Sequence, residues 1–279
     1  MNAHASENPT VLIRPPQGWV PLKLQDLWEY RELLYFLVWR DIKVSYTQTV
    51  LGVAWAVLKP VVTMVVFAII FGWLVRVPSE GVPYPIFVFA ALLPWQLFAR
   101  SLAGSSTSLV ANENLITKVY FPRLVMPISA TVAGVLDFAI ASVVLLGMMW
   151  FYHIVPTAAA WTLPLFVMLA IATALGVGLW LSALNVLYRD VGHASPFLIQ
   201  IWLFATPIIY PSSLVPESLR VAYWLNPMVG VVEGFRWALL GTGSKPGPML
   251  ALSVFVTMAV LFSGLYFFRR LEQTFADTV

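Results

Sequence analysis

The run Val125-Met-Pro-Ile-Ser-Ala-Thr-Val-Ala-Gly-Val-Leu-Asp137-Phe-Ala-Ile-Ala-Ser-Val-Val-Leu-Leu-Gly-Met-Met-Trp-Phe151 carries a single charge, Asp137, in its whole length. A hydrocarbon core of about 30 Å is crossed by about 20 mostly apolar residues in a helix. The stretch does not alternate apolar and polar residues as a barrel strand does. A helix satisfies its own backbone hydrogen bonds in lipid, so the run predicts a transmembrane helix.

Five more runs read the same way: Val53–Val75, Pro85–Leu109, Trp161–Leu187, Ala194–Tyr210 and Pro248–Phe268. The chain is 60% hydrophobic and 10% charged, whereas soluble domains carry about a quarter of their residues as charges. The expected fold class is an all-α integral membrane protein with six transmembrane helices. The first ~50 residues show no short apolar core followed by a small-residue cleavage site, so no cleaved signal peptide is expected.

With the N-terminus inside, the cytoplasmic side holds Arg14, Lys23, Arg31, Arg40, Lys43, Lys118, Arg123, Arg189, Arg269 and Arg270. The outside holds Arg76, Arg220, Arg236 and Lys245. This imbalance favours cytoplasmic N- and C-termini by the positive-inside rule. The net charge of +3 reflects that bias, and a nucleic-acid partner is not expected. The absence of cysteine excludes disulfides and thiolate metal sites.

Residues 1–25 are polar and proline-bearing and read as a cytoplasmic tail. Asp26 can cap a helix over residues 26–46, whose apolar centre Leu33–Trp39 is too short to span and too apolar to be a solvated face. It reads as a helix lying in the cytoplasmic interface; an extension of the first span is the alternative. Residues 47–270 form the six-span domain, and 271–279 a cytoplasmic C-terminal tail. The longest outer connection, Pro211 to Lys245, is neither plainly soluble nor plainly spanning. Its apolar part holds Glu233 and Arg236, three residues apart on one helical face. A re-entrant or interfacial helical hairpin before the last span fits it, since such backbone is tolerated only against protein or a water-filled cavity.

Charges within the spans each need a reason. Asp137 serves either as a proton relay or as a bond to a neighbouring helix, through a Ser, Thr or Lys. Arg100 and Lys59 can snorkel to the interface; Arg100 can instead face an aqueous path. Aromatics gather at membrane interfaces in any case, but flat rings also stack on sugars. Trp55, Phe67, Phe71, Trp95 and Phe98 are therefore candidate channel residues, with Arg100. No G-x-x-x-x-G-K-[ST] phosphate loop is present, and Gly241-Thr-Gly-Ser-Lys245 lacks its spacing. His4, His153 and His193 show no metal-ligand spacing. No catalytic residue or metal site is expected, and the chain is not expected to hydrolyse ATP itself.

Taken together the connections sharpen this reading. Asp41-Ile-Lys-Val-Ser-Tyr46, Thr49-Val-Leu-Gly-Val-Ala-Trp55 and Lys59-Pro60 resemble the entry to the first span of bacterial ABC permeases that export polysaccharides. Asn114-Leu-Ile-Thr-Lys-Val-Tyr-Phe-Pro-Arg123 is similar to that family's cytoplasmic coupling segment. Tyr188-Arg-Asp190, Thr206-Pro-Ile-Ile-Tyr-Pro211 and Asn226-Pro227 match its later landmarks, in order. The resemblance implies six spans, an interface helix, and a short re-entrant pair before the last span. It implies a second copy of this chain, two ATP-binding subunits that carry ATP and Mg, and no cofactor on the permease. The implied cargo is a lipid-linked polysaccharide of O-antigen, capsular or teichoic type, leaving the bacterial cytoplasmic (inner) membrane.

On that resemblance Asn114, Leu115, Ile116, Lys118, Tyr120 and Arg123 would seat the ATPase, with Leu115 and Ile116 as an apolar plug. Arg189 and Asp190 would pair beside a cytoplasmic gate. Tyr210, Pro211, Glu233 and Arg236 would belong to an outer gate. The rival readings are an ABC exporter of drugs or lipids and an ion-coupled secondary transporter. The latter predicts inverted repeats and several midplane ionisable groups.

Overall fold

The structure, a computed structural model, describes residues 28–47, 52–243, 247–272 and 275. The N-terminal tail with its capping Asp26, residue Lys245 and most of the C-terminal tail lie outside the described residues. The described chain is helical: α1 (Arg31–Thr47), α2 (Ala54–Phe67, continuing as a π-helix through Ala68–Leu74), α3 (Tyr84–Ala111), α4 (Glu113–Lys118), α5 (Val125–Phe151), α6 (Leu163–Leu187), α7 (Asp190–Phe204), α8 (Glu217–Trp224), α9 (Pro227–Leu240) and α10 (Pro248–Leu271). Five of these, namely α2, α3, α5, α6 and α10, are long and apolar enough to cross a membrane. The expected span Ala194–Tyr210 is instead the 15-residue α7, about 22 Å long at 1.5 Å per residue. It stops at Phe204 because Pro207 and Pro211 follow and lack the N–H that a continuing helix needs.

Helix α3 is the axis of the fold. It packs most extensively on α6 and α5 and is buried along most of its length, whereas α2 exposes nearly all of its apolar residues. Lipid tails are as apolar as leucine, so these helices are held by close packing and buried hydrogen bonds rather than by exclusion of water. Ser101 on α3 donates to the Thr131 carbonyl on α5 (2.9 Å), and Thr173 on α6 meets Thr257 on α10 (3.0 Å). At the α6–α10 crossing a Cβ added to Gly176 would lie 2.8 Å from the backbone of Leu261, and backbone cannot step aside cheaply. Gly176→Leu is therefore expected to cost about 1–3 kcal/mol by overpacking. Thermal unfolding of the detergent-solubilised protein should show the loss, and an unchanged midpoint would count against the crossing.

Helix α1 packs along α5. Leu37 is buried with Ile116, Phe121, Val125 and Met126 around the N-terminal end of α5. Nine residues later, the Tyr46 hydroxyl bonds to Asp137 of α5. The helix thus climbs beside α5, leaving Tyr35, Phe36 and Trp39 exposed. The physical reason is the charge: a carboxylate inside the bundle needs donors, and the end of α1 supplies one.

Candidate functional site

A cavity of about 1340 Å³ opens between α1, α2, α3, α5 and α7. Its wall mixes apolar residues with Arg40, Asp41, Lys59, Arg100 and Asp137. It runs from Asn112, at the C-terminal end of α3, to Leu93 and Ala141 deep in the bundle. Within it the Arg100 Nε lies 2.6 Å from the Asp137 carboxylate, and Arg100 Nη2 donates to Ser45 Oγ at 3.0 Å. Tyr46 donates to the other Asp137 oxygen. The intramembrane charges thus neutralise each other and tie α1, α3 and α5 together. Arg40 pairs with neighbouring Asp41 at 2.8 Å, whereas Lys59 forms no ion pair among the described residues. Such a wall offers apolar surface, hydroxyls, amides and one uncommitted cation to an amphipathic molecule.

The sequence holds a signal for the Arg100–Asp137 pair that the reading above passed over. Arg100 stands eleven residues before the end of α3 and Asp137 twelve after the start of α5, about 17–18 Å along each axis. Consecutive antiparallel spans therefore bring the two charges to one depth. Of the other candidate channel residues, Trp55 lines the cavity. Trp95 and Phe98 are buried against each other at 5.2 Å, with Phe98 also edge-on to Trp202, so they are core. Phe67 and Phe71 form an edge-to-face pair packed on that core.

At the C-terminal end of α3, α4 turns back through one residue, Asn112. Asn114 and Lys118 are exposed, and Tyr120 is 90% exposed beside half-exposed Val119. Ile116 points the other way, into the cluster with Leu37 and Phe268, and Leu115 packs partly against it. The outward apolar group is therefore Val119-Tyr120 rather than Leu115-Ile116, because α4 spends its apolar face on the permease's own core. The Arg123 N–H donates to Glu272 Oε1 (3.0 Å) and its guanidinium to the Glu272 carbonyl, fastening this segment to the end of α10. Arg189 meets Glu113 at 3.9 Å, not Asp190, which opens α7 exposed.

At the opposite end of the bundle Asn226 caps α9 by accepting from the Met228 N–H (3.0 Å), and Pro227 fills the first helical position. The Asn226 side chain also accepts from Trp202 and donates to the Ala205 carbonyl and Thr206 Oγ1. Arg236 is fully buried. It donates to the carbonyls of Phe87 (3.3 Å), Ile208 (2.8 Å) and Tyr210 (3.4 Å), pairs with Glu233 at 3.6 Å and covers the Phe87 ring. Tyr223 donates to the Tyr210 hydroxyl (3.3 Å), and Pro211 is buried beside them. The four residues read as an outer gate thus gather at one place. Among the described residues no group of three or more His, Asp or Glu could hold a metal ion.

A bundle of helices long and apolar enough to cross a membrane, with an amphipathic cavity and a short helix at one end, has the form of a membrane transport subunit. The family model for the ABC-2 type transporter matches residues 32–240, and the chain belongs to that family. Among curated proteins it is similar to the O-antigen export system permease protein RfbA of Myxococcus xanthus, at 31% identity over 92% of this chain and 98% of that one. A Klebsiella pneumoniae protein of the same name is 29% identical over 88% of this chain and 94% of its own length. The polysialic acid transport protein KpsM of Escherichia coli is 25% identical over 84% and 91%.

Proposed function

We propose that this chain is the membrane subunit of an ATP-driven exporter of lipid-linked polysaccharide in the bacterial cytoplasmic membrane, with both termini cytoplasmic. The observation that carries the reading is the cavity, whose mixed wall suits a cargo with an apolar and a hydroxyl-rich part. The relatives named for O-antigen export and polysialic acid transport support that cargo. Two copies of the permease act with two ATP-binding subunits, which hold nucleotide and Mg. The unpartnered apolar faces support a second copy: α2 exposes Val62, Val65, Ile69 and Trp73, and α7 exposes Phe197, Leu198, Ile201 and Phe204. In that assembly α7 is the fifth of six spans, completed by residues 205–211, and α8–α9 is the re-entrant pair at the outer mouth.

The ATPase seats against Asn114, Lys118, Val119 and Tyr120, with Arg123 holding the segment in place from behind. Tyr120→Ala with Lys118→Glu is expected to reduce recovery of the ATP-binding subunit in a pull-down about tenfold, as loss of an exposed aromatic anchor does. Arg123→Glu is expected to lower thermal stability instead. Equal recovery with Y120A/K118E would move the contact elsewhere.

The deciding experiment reconstitutes the permease with its ATP-binding partner in proteoliposomes and follows a lipid-linked glycan. ATP-dependent movement of the glycan supports the proposal. ATP hydrolysis stimulated by drugs or phospholipids but not by glycan would favour the other exporter reading. Transport driven by an ion gradient without ATP would overturn both.

A further inference from the structure

The corner between α6 and α7 contains only Tyr188 and Arg189, yet α7 must be aimed to place Gly192, Ser195 and Pro196 on the cavity wall. A helix start leaves its first N–H groups without intrahelical partners, usually answered by a side chain at the cap. Arg189, at that position, makes no such bond. The Gly192 N–H reaches the Arg189 carbonyl at 3.2 Å, and its shorter bond goes to the preceding helix: the buried Asn185 side chain accepts from it at 2.9 Å. The same side chain donates through Nδ2 to the Ser106 carbonyl of α3 at 3.1 Å. Ser106 Oγ in turn reaches Ser195 Oγ of α7 at 3.3 Å. One amide therefore joins α6, the first turn of α7 and the last turns of α3. The close approach depends on Gly192, where a Cβ would stand 2.9 Å from Asn185 Oδ1.

Ser106 lies seven residues before α4, with Asn112 alone between α3 and α4, and Asn112 Nδ2 bonds back to the Ser108 carbonyl (2.7 Å). A push on α4 therefore reaches Ser106 through continuous hydrogen-bonded helix. We propose that Asn185 is a positioning residue that makes the α7 wall of the cavity move with α3 and α4, so that cytoplasmic events reset the cavity. The proposal rests on the reading of the chain as an ATP-driven permease. It concerns a side chain that does not itself line the cavity but bonds to Gly192, which does. Asn185 was absent from the sequence expectations because a neutral amide beside Tyr188-Arg-Asp190 looks like the edge of a motif.

Asn185→Asp keeps shape and the acceptor for Gly192 but loses the donor to Ser106. Gly192→Ala leaves Asn185 intact and displaces its amide. The permease–ATPase complex, purified with each variant, is assayed for glycan export and ATP hydrolysis on the same preparation. The chain has no cysteine, so spin labels at exposed Thr107→Cys and Phe197→Cys report the α3–α7 distance in these backgrounds. The expected result is export per ATP about tenfold lower in both variants, the size of one buried hydrogen bond. The double variant should be no worse than either single, and the α3–α7 distance distribution, narrow with and without nucleotide in the parent, should broaden. A merely structural Asn185 would lower assembly and hydrolysis together and leave export per ATP unchanged, which overturns the proposal, as does a narrow distance in N185D. A parent complex that neither hydrolyses ATP nor exports would sink the permease reading, while the label distances still decide whether Asn185 holds α7 to α3.

Discussion

An Arg236→Met permease is expected to lose about 3–5 kcal/mol of folding stability, the cost typical of breaking a buried ion pair by removing one partner. The side chain is fully buried, and all three of its guanidinium nitrogens are bonded to main-chain carbonyls. Removing it leaves Glu233 without its cation and takes one donor each from the carbonyls of Phe87, Ile208 and Tyr210. An exposed pair such as Arg220–Glu217, by comparison, contributes about 0–1 kcal/mol. Removing both charges, as Arg236→Met with Glu233→Leu, is expected to recover part of the loss but not all, since the three bonds from the guanidinium stay lost. Arg236→Lys keeps the charge but loses the planar fork, so it should fall between. Denaturant titration of the permease in lipid discs ranks the three. Equal midpoints for wild type and R236M would remove the clamp from any account of the outer end. If the ranking holds, residues 205–211 and α9 are fixed to the start of α3 and move with it as one body.

The bounds Val125–Phe151 read from the sequence are those of α5, because a charged, proline-bearing loop precedes the run and Tyr152-His153 ends it. Pro85–Leu109 and Pro248–Phe268 fall within a few residues of α3 and α10 for the same reason. What stayed hidden is which side of each helix meets another. A span that is apolar all round has no stripe to read, so core Trp95 and Phe98 could not be told from cavity-lining Trp55. The direction of α1 was hidden for a different reason. Its charges nearly cancel and its apolar centre is short, and only the hydroxyl of Tyr46 at Asp137 reveals that it enters the bundle. The coupling segment was legible as a segment but not by face. A six-residue helix with Leu115, Ile116, Val119 and Tyr120 around it offers two apolar sides, and only tertiary packing assigns one to the core.

Asp137→Ala and Arg100→Ala are each expected to cost about 2–3 kcal/mol. The figure is set below that for Arg236 because the two side chains are 22% and 37% exposed toward the cavity, where solvent screens the survivor. Tyr46→Phe removes only the hydroxyl and should cost about 1 kcal/mol. The order matters more than the sizes. If Asp137 serves chiefly as the anchor of α1, α3 and α5, Asp137→Asn strands the Arg100 charge and lowers stability and export together. The exchange Arg100→Asp with Asp137→Arg restores most of the stability, less the Tyr46 bond, which has lost its acceptor. If Asp137 is instead a proton relay, Asp137→Asn abolishes export at undiminished stability, and the exchanged pair, with the carboxylate moved to another helix, stays inactive. Unfolding midpoints and export measured on the same five variants separate the two roles. The geometry favours the anchor, since Arg100 and Tyr46 each hold one carboxylate oxygen and so draw α3 and α1 onto Asp137 of α5.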